Sequence, residues 1–265
     1  MHPVIIHSFY WRMLTFKTSS VLVLIALLVV WFFQFPWWIG IAVLLVYTGL
    51  LVWGSIRVDS QFYMKAVVKG AGGNRRIAIS FDDGPLPEYT LSVLDTLSAA
   101  KVPASFFCIG KRVSQYPELA RKIVEQGHII GNHSFSHHAL FDLYSSGRMQ
   151  AELEQTNALL LETTGKRPRY FRPPYGVTNP NLAKAVKKTG MTTIGWNIRS
   201  LDTVAKEQDK LLEKLWKQLQ PGAIVLFHDT MSITAGLLPE FLEGVKKRGF
   251  EIVPIDQLIN EDAYA

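Results

Sequence analysis

The sequence predicts an α/β domain built on a parallel sheet, open or closed into a barrel, behind an apolar N-terminal segment. Three observations carry this. Strand-like and helix-like segments alternate through seven βα-like units from residue 76 onward, with no internal sequence repeat. The chain has 265 residues and is 48% hydrophobic, enough for one α/β domain of about 200–250 residues with a sizeable core. From Val21 to Trp53 there is no charged residue, and every acidic residue lies beyond that stretch.

The apolar stretch reads "VLVLIALLVVWFF", then "QFPWW", then "IGIAVLLVYTGLLVWG". It is too long for one upright span, which needs about 20 residues. Pro36 divides it, and Trp31, Trp37, Trp38 and Trp53 fall where interfacial aromatics lie. The expectation is a membrane anchor over residues 1–54, two short transmembrane helices forming a hairpin, with one kinked, tilted span as the alternative. A cleavable signal peptide fits poorly, for want of a small-residue cleavage site. Arg12 and Lys17 precede the stretch, and Arg57, Lys65, Lys69, Arg75 and Arg76 follow it. A hairpin puts both ends on one side, which the positive-inside rule makes cytoplasmic; a single span puts the domain outside. The expected location is a bacterial inner membrane, with the catalytic domain facing the envelope.

Residues 55–75 read as a juxtamembrane linker, and "KGAGGNRR" at 69–76 as its flexible end. The domain proper is expected over residues 76–260. Its strand candidates are Arg76–Phe81, Ala104–Ile109, His128–Gly131, Arg169–Phe171, Met191–Asn197, Ala223–Phe227 and Phe250–Val253. Helical patterns cover Glu88–Ala100, Ser114–Glu125, Arg148–Thr163, Asn179–Thr189, Lys206–Leu219 and Leu237–Lys247. Gly127, Gly190 and Gly249 each follow a helix end and precede a strand, the place of a C-terminal cap.

A net charge of +6 suits anionic envelope polymers or lipid head groups, and equally a solvated surface. "KAVVKG" and "NRR" are too short for a nucleic-acid stripe, so no nucleic-acid partner is expected. The single cysteine, Cys108, rules out an intramolecular disulfide framework and reads as a small core residue in "ASFFCIG".

Chemistry gathers at strand ends. "AISFDDGP", residues 78–85, sets Asp82 beside Asp83, and two carboxylates so close repel unless a cation holds one of them. "GNHSFSHH", residues 131–138, offers His133 and His137, whose spacing of four puts both rings on one face of a helical turn. One carboxylate and two histidines form a three-ligand set for a catalytic metal with open positions. His138 would leave that face, His128 reads as a core or edge residue, and His2 and His7 lie outside the domain. "YFRPPYG" ends a strand with Arg172, and "IVLFHD" ends one with His228 and Asp229. Alone, a surface arginine beside a turn is common. Together these residues ring the C-terminal ends of parallel strands, where βα barrels keep their chemistry.

"SFDDGP", "HSFSH", "RPPYG" and "LFHD", in this order, resemble the polysaccharide deacetylases with the NodB homology domain, carbohydrate esterase family 4. The resemblance covers roughly Arg75 to Leu258. It implies a distorted seven-stranded (β/α) barrel, here preceded by the transmembrane helical hairpin. It implies that Asp83, His133 and His137 bind a divalent metal, most often zinc in this family. Asp82 would be the general base, Arg172 its orienting partner, and His228 the general acid. The Tyr175 backbone N–H would serve the oxyanion site, and Leu226 would shape the pocket for the acetyl methyl.

One motif departs from the family. Its Asp-x-x-Asp-Trp block corresponds here to "WNIRSLDT", residues 196–203. Asp202 matches the second aspartate and is expected to support His228. Arg199 stands in the place of the first, and Thr203 replaces the tryptophan of the acetyl pocket, which bears on the substrate more than on the reaction. The implied activity is removal of acetyl groups from an N-acetylated glycan such as peptidoglycan. A lipid-linked sugar and an O-acetylated polysaccharide are the alternatives. Two rival classes are a non-haem iron oxygenase, whose usual scaffold is not a βα chain, and a non-catalytic glycan-binding module. The membrane and the glycan are the expected partners, with no obligate protein partner.

Overall fold

The computed structural model describes residues 14–71 and 74–265, so His2, His7 and Arg12 lie outside the described residues. Two apolar helices come first, α1 (Phe16–Phe32) and α2 (Trp37–Ile56). They pack together, with Ser20 Oγ 2.6 Å from the Tyr47 hydroxyl. By length and composition α2 is long and apolar enough to cross a membrane, whereas α1, at 17 residues, is shorter. The expected pair of spans is thus one helix of sufficient length and a shorter companion. At the far end the turn exposes Trp31, Phe32, Phe33, Trp37 and Trp38. At the near end the start of α1 meets the rest of the chain, where the Phe16 N–H donates to Phe62 O.

The domain is a curled half-barrel of parallel strands: β1 (Arg76–Asp82), β2 (Ser105–Cys108), β3 (Ile129–Asn132), β4 (Tyr170–Phe171), β5 (Thr192–Thr193), β6 (Ile198–Arg199), β7 (Ile224–His228) and β8 (Glu251–Ile252). The strand order is β5-β4-β3-β2-β1-β7-β6, and β8 pairs with the start of β1. The helices are α3 (Thr90–Ala100), α4 (Gly110–Gln115), α5 (Pro117–Glu125), α6 (Ser146–Thr164), α7 (Pro180–Thr189), α8 (Gln208–Gln218), α9 (Ser232–Lys247) and α10 (Ile255–Ile259).

Burial on both faces explains why β1 reads as a continuous apolar run. Ile77, Ile79 and Phe81 point outward into the core shared with α3, α8 and α9, where Phe81 stacks between Phe106 and Phe227. Ala78, Ser80 and Asp82 alternate with them and face inward. Each fully buried side chain of this size contributes about 1.5–3 kcal/mol. The inner face can therefore carry polar groups while the outer core holds the fold.

Three expected elements differ. The strand expected over Met191–Asn197 shrinks to β5 (Thr192–Thr193), and a separate strand, β6, follows it at Ile198–Arg199, so the described residues form eight strands where seven were expected. The Val67 N–H donates to Thr193 O, and the Gly195 N–H donates to Val67 O. Residue 67 thus takes the edge that a continuous strand would have offered. The helix over Ser114–Glu125 breaks at Pro117, whose ring fixes the start of α5. The helix over Leu237–Lys247 begins earlier, at Ser232, and carries Pro239 inside it. Gly127, Gly190 and Gly249 all have positive φ, as helix-terminating residues do.

The stretch expected as a linker packs on the domain. Val58 and Val68 lie against Gly195, Val67 bridges to Ile194, Lys69 bridges to Ala223, and the Gly70 N–H donates to Gly222 O. These residues run from the edge just after β5 to the segment that leads into β7.

Candidate active site

Asp82 is the last residue of β1 and almost fully buried. Its Oδ1 accepts from Arg172 Nη1 at 2.6 Å, leaving Oδ2 3.9 Å from His133 Nε2. Arg172 is fully buried directly after β4. Its guanidinium also donates to Ser80 Oγ (2.9 Å), Ile194 O (3.2 Å) and Gly195 O (3.1 Å), and lies 4.0 Å from the centre of the Phe107 ring. A planar fork with five donors suits this many acceptors at once.

Asp83 turns the other way because its backbone is left-handed (φ 75°). The loop is pinned by Arg112 Nη1 on Asp83 O at 2.7 Å and by the Ile109 N–H on Gly84 O at 3.0 Å. Gly84 presses on Asp229, whose carboxylate leaves no room for a Cβ there. Asp229 is fully buried and pushed up to about 7 by that burial, even though Thr90 Oγ1 donates to it at 2.6 Å.

Asp83 Oδ1 lies 3.5 Å from His133 Nε2 and 3.4 Å from His137 Nε2. All three ligand atoms fall within 4.8 Å of one another. Ligands at about 2.0–2.1 Å from a tetrahedral zinc are separated by roughly 3.3 Å, so this triangle fits a small divalent cation. His133 Nδ1 is 2.8 Å from Arg172 O. A carbonyl only accepts, so Nδ1 carries the proton and Nε2 presents its lone pair to the triangle. Burial, and next His133, push His137 down to about 4, keeping that ring neutral. Burial alone would raise the Asp83 carboxyl. The imidazoles that face it, His133 first and then His137 and His228, outweigh this and hold Asp83 well below the usual carboxylate range.

The two histidines do not share a helical turn, as their spacing suggested. Residues 133–138 form a loop in which Ser134 (φ 60°) and His137 (φ 46°) are left-handed. Glu152 of α6 braces it, accepting from the Phe135 and Ser136 N–H groups at 3.1 and 2.8 Å. Asn132 Oδ1 accepts from the Ser134 N–H. Sequence reading missed Glu152 and Asn132 as supports; Asp229 was singled out beside His228, but not its packing against Gly84. His138 points away and stacks on Tyr144.

His228 ends β7 opposite Asp82. Its Nδ1 is 2.7 Å from Asp202 Oδ1, and Asp202 Oδ2 accepts from the His228 N–H (2.7 Å) and Thr234 Oγ1 (2.6 Å). Burial lowers His228, but the hydrogen bond and charge of Asp202 more than offset this and raise it above its usual 6.5. Asp202 is held low in turn, chiefly by His228 against its own burial. Leu226 lies two residues earlier on the same inward face, paired with Ser80 and Arg199. Tyr175 (φ 59°) sits at the mouth with its ring 4.6 Å from that of His137. Arg199 is exposed, 5.9 Å from the Trp196 ring, and Thr203 is exposed on the loop after β6.

The profile of the polysaccharide deacetylase family matches residues 69–194. The peptidoglycan-N-acetylglucosamine deacetylase PgdA of Listeria monocytogenes is 36% identical over 194 residues, 73% of this chain and 41% of that protein. This chain therefore spans about two fifths of that relative's length. The chitooligosaccharide deacetylase of a Bradyrhizobium species is 32% identical over 200 residues, 70% of this chain and 91% of that protein. The structure of Bacillus subtilis PdaA, a family 4 carbohydrate esterase, superposes with a TM-score of 0.66 at 33% identity, covering 73% of this chain and 84% of that one.

Proposed function

Since the chain belongs to the polysaccharide deacetylase family, carbohydrate esterase family 4, we propose that it is a membrane-anchored, metal-dependent hydrolase that removes acetyl groups from N-acetylated sugars. One observation carries this reading. A carboxylate with one oxygen left open, a carboxylate–histidine–histidine triangle and an aspartate-backed histidine converge at the end of β1 and the strands beside it.

Asp83, His133 and His137 would hold the cation, zinc in this reading, which when bound supplies the Lewis acidity that lowers the pKa of water and polarises an amide carbonyl. Asp82 Oδ2 takes the proton of the attacking water, and Arg172 on Oδ1 keeps the carboxylate oriented. The Tyr175 N–H faces the developing oxyanion. With Nδ1 taken by Asp202, His228 presents Nε2 to the substrate and delivers a proton to the departing amine nitrogen. Leu226 lies below His228 as the floor for the acetyl methyl. The apolar pair α1 and α2 forms the anchor, as a hairpin whose turn bears the aromatic residues. The supported substrate is peptidoglycan or another N-acetylglucosamine glycan, on which several relatives are named to act.

The test is acetate release by the full chain loaded with zinc, on peptidoglycan, N-acetylglucosamine oligomers and acetylated xylan. Chelation should lower release by about a hundredfold or more, since Lewis-acid stabilisation is worth several kcal/mol, and added divalent metal should restore it. Release indifferent to chelation would overturn the reading.

The acid also fixes a pH dependence. His228 must be protonated to act, so turnover falls as pH climbs through its raised pKa. Stability from the His228–Asp202 pair is fully present below pH 6.5 and is lost over the same rise. Asp202→Asn removes the anion and leaves burial dominant, so the alkaline limb should move to lower pH. An unmoved limb would mean that another group donates the proton.

A further inference from the structure

We propose that the mouth of this site faces the bilayer and that its substrate is an N-acetylated sugar carried on a membrane lipid through a phosphate, with Arg199 contacting that phosphate. This rests on the deacetylase reading above and names the substrate class.

The strands are parallel, so all their C-terminal ends open on one face. Beyond residue 56 the exposed large apolar side chains are Leu140, Leu143, Leu161, Tyr175, Leu201 and Val204. All but Leu161 follow the C-terminal ends of β3, β4 or β6. Leu143 is 78% exposed and Val204 71%, values that a rim bathed in water does not favour and an interfacial one does.

The anchor ends on the same face. The Thr178 N–H donates to Ser55 O at 2.9 Å and Thr178 Oγ1 to Gly54 O at 3.3 Å, both at the end of α2. Thr178 lies between the loop after β4 and the start of α7. The next turn ties in the loop that carries Leu140 and Leu143: Asn179 Nδ2 donates to Asp142 O at 2.8 Å, and Asn181 Nδ2 to Tyr144 O at 3.1 Å. The bilayer surface that α2 leaves is therefore within a few bonds of the apolar rim. A substrate reaching this mouth arrives along the membrane.

Arg199 supplies the charge. It pairs with Leu226 on β6, the edge strand of the half-barrel, while its neighbour Ile198 fills the outer core, so Arg199 projects from the inward face. It is exposed and forms no ion pair with any described residue. Lys214 Nζ lies on the Arg199 and Ser200 carbonyls, at 3.4 and 3.3 Å, and adds a second positive charge there. An unpaired guanidinium above an indole, beside an apolar rim, suits a phosphate at the junction of sugar and lipid.

The experiment uses the full chain in phosphatidylethanolamine–phosphatidylglycerol vesicles. Three probes are compared: N-acetylglucosamine joined to a polyprenol through a diphosphate, the same sugar on diacylglycerol without phosphate, and a water-soluble N-acetylglucosamine tetramer. The polyprenyl diphosphate should be deacetylated with a kcat/KM at least about tenfold above the other two. Leu143→Asp combined with Val204→Asp should remove most of that advantage and leave the tetramer rate unchanged, which also reports an intact fold. Arg199→Ala should raise KM for the diphosphate probe more than for the neutral glycolipid. Equal turnover of all three probes, or rim and Arg199 variants without selective effect, overturns the proposal while the deacetylase reading stands. Acetate from none of the three, nor from peptidoglycan or acetylated xylan, overturns the deacetylase reading itself.

Discussion

Asp82→Asn should lower acetate release by about a thousandfold, within the range for loss of a general base, while the protein keeps its fold. The substitution is isosteric and leaves a carbonyl oxygen for Arg172 Nη1 to donate to, so the 2.6 Å contact survives in shape. What disappears is the capacity of the second oxygen, held 3.9 Å from His133 Nε2, to take a proton. Asp83→Asn gives the contrast. It weakens the triangle with His133 and His137, so excess divalent cation should recover part of its activity and none of that of Asp82→Asn. Acetate release by purified protein over a range of zinc concentrations separates the two. Recovery of Asp82→Asn but not of Asp83→Asn would mean that the carboxylates are assigned the wrong way round.

Arg172→Met should have the largest effect on stability. It leaves the Asp82 carboxylate buried without its partner, and the carbonyls of Ile194 and Gly195 lose the guanidinium donor. Removing one member of a buried ion pair costs about 3–5 kcal/mol. Denaturant unfolding should show a loss of this size, with activity lost as well. The double variant Arg172→Met/Asp82→Asn should be less destabilised than Arg172→Met alone, because a neutral amide is cheaper to bury unpaired than a carboxylate. If the double variant is worse, the arginine acts through its carbonyl contacts rather than through Asp82.

Much of this was legible in the chain. The runs "IAISF" and "IVLF" are apolar apart from Ser80 because both faces are covered, so β1 and β7 stand where the pattern places them. The site residues were legible because parallel strands deliver their C-terminal residues to one face. Asp82, Asp83, Arg172 and His228 needed only that rule to be gathered. The reason for the His133–His137 contact was not legible. The i, i+4 spacing suggested a helix, but two left-handed residues make a loop, and its brace, Glu152, comes from a helix with no motif of its own. Nor was the early end of the fifth strand at Thr193, since the residue that competes for its edge, Val67, is more than 120 positions away and sits in a stretch with the composition of a linker. Short-range pattern carries no record of such a partner.

That stretch has a practical consequence for how the protein can be cut. A fragment beginning at residue 76 would discard Val67 and Gly70, stripping partners from Thr193 O, the Gly195 N–H and Gly222 O. The result is a raw edge beside the carbonyls that grip Arg172, and an unpaired edge is a template for chains to zip together. Such a fragment should come out of purification as aggregates with little activity, whereas one beginning at Ser55 keeps the edge capped and stays monodisperse by size-exclusion chromatography. The short segment after α2 is thus not a leash that holds the domain but a stave of the half-barrel.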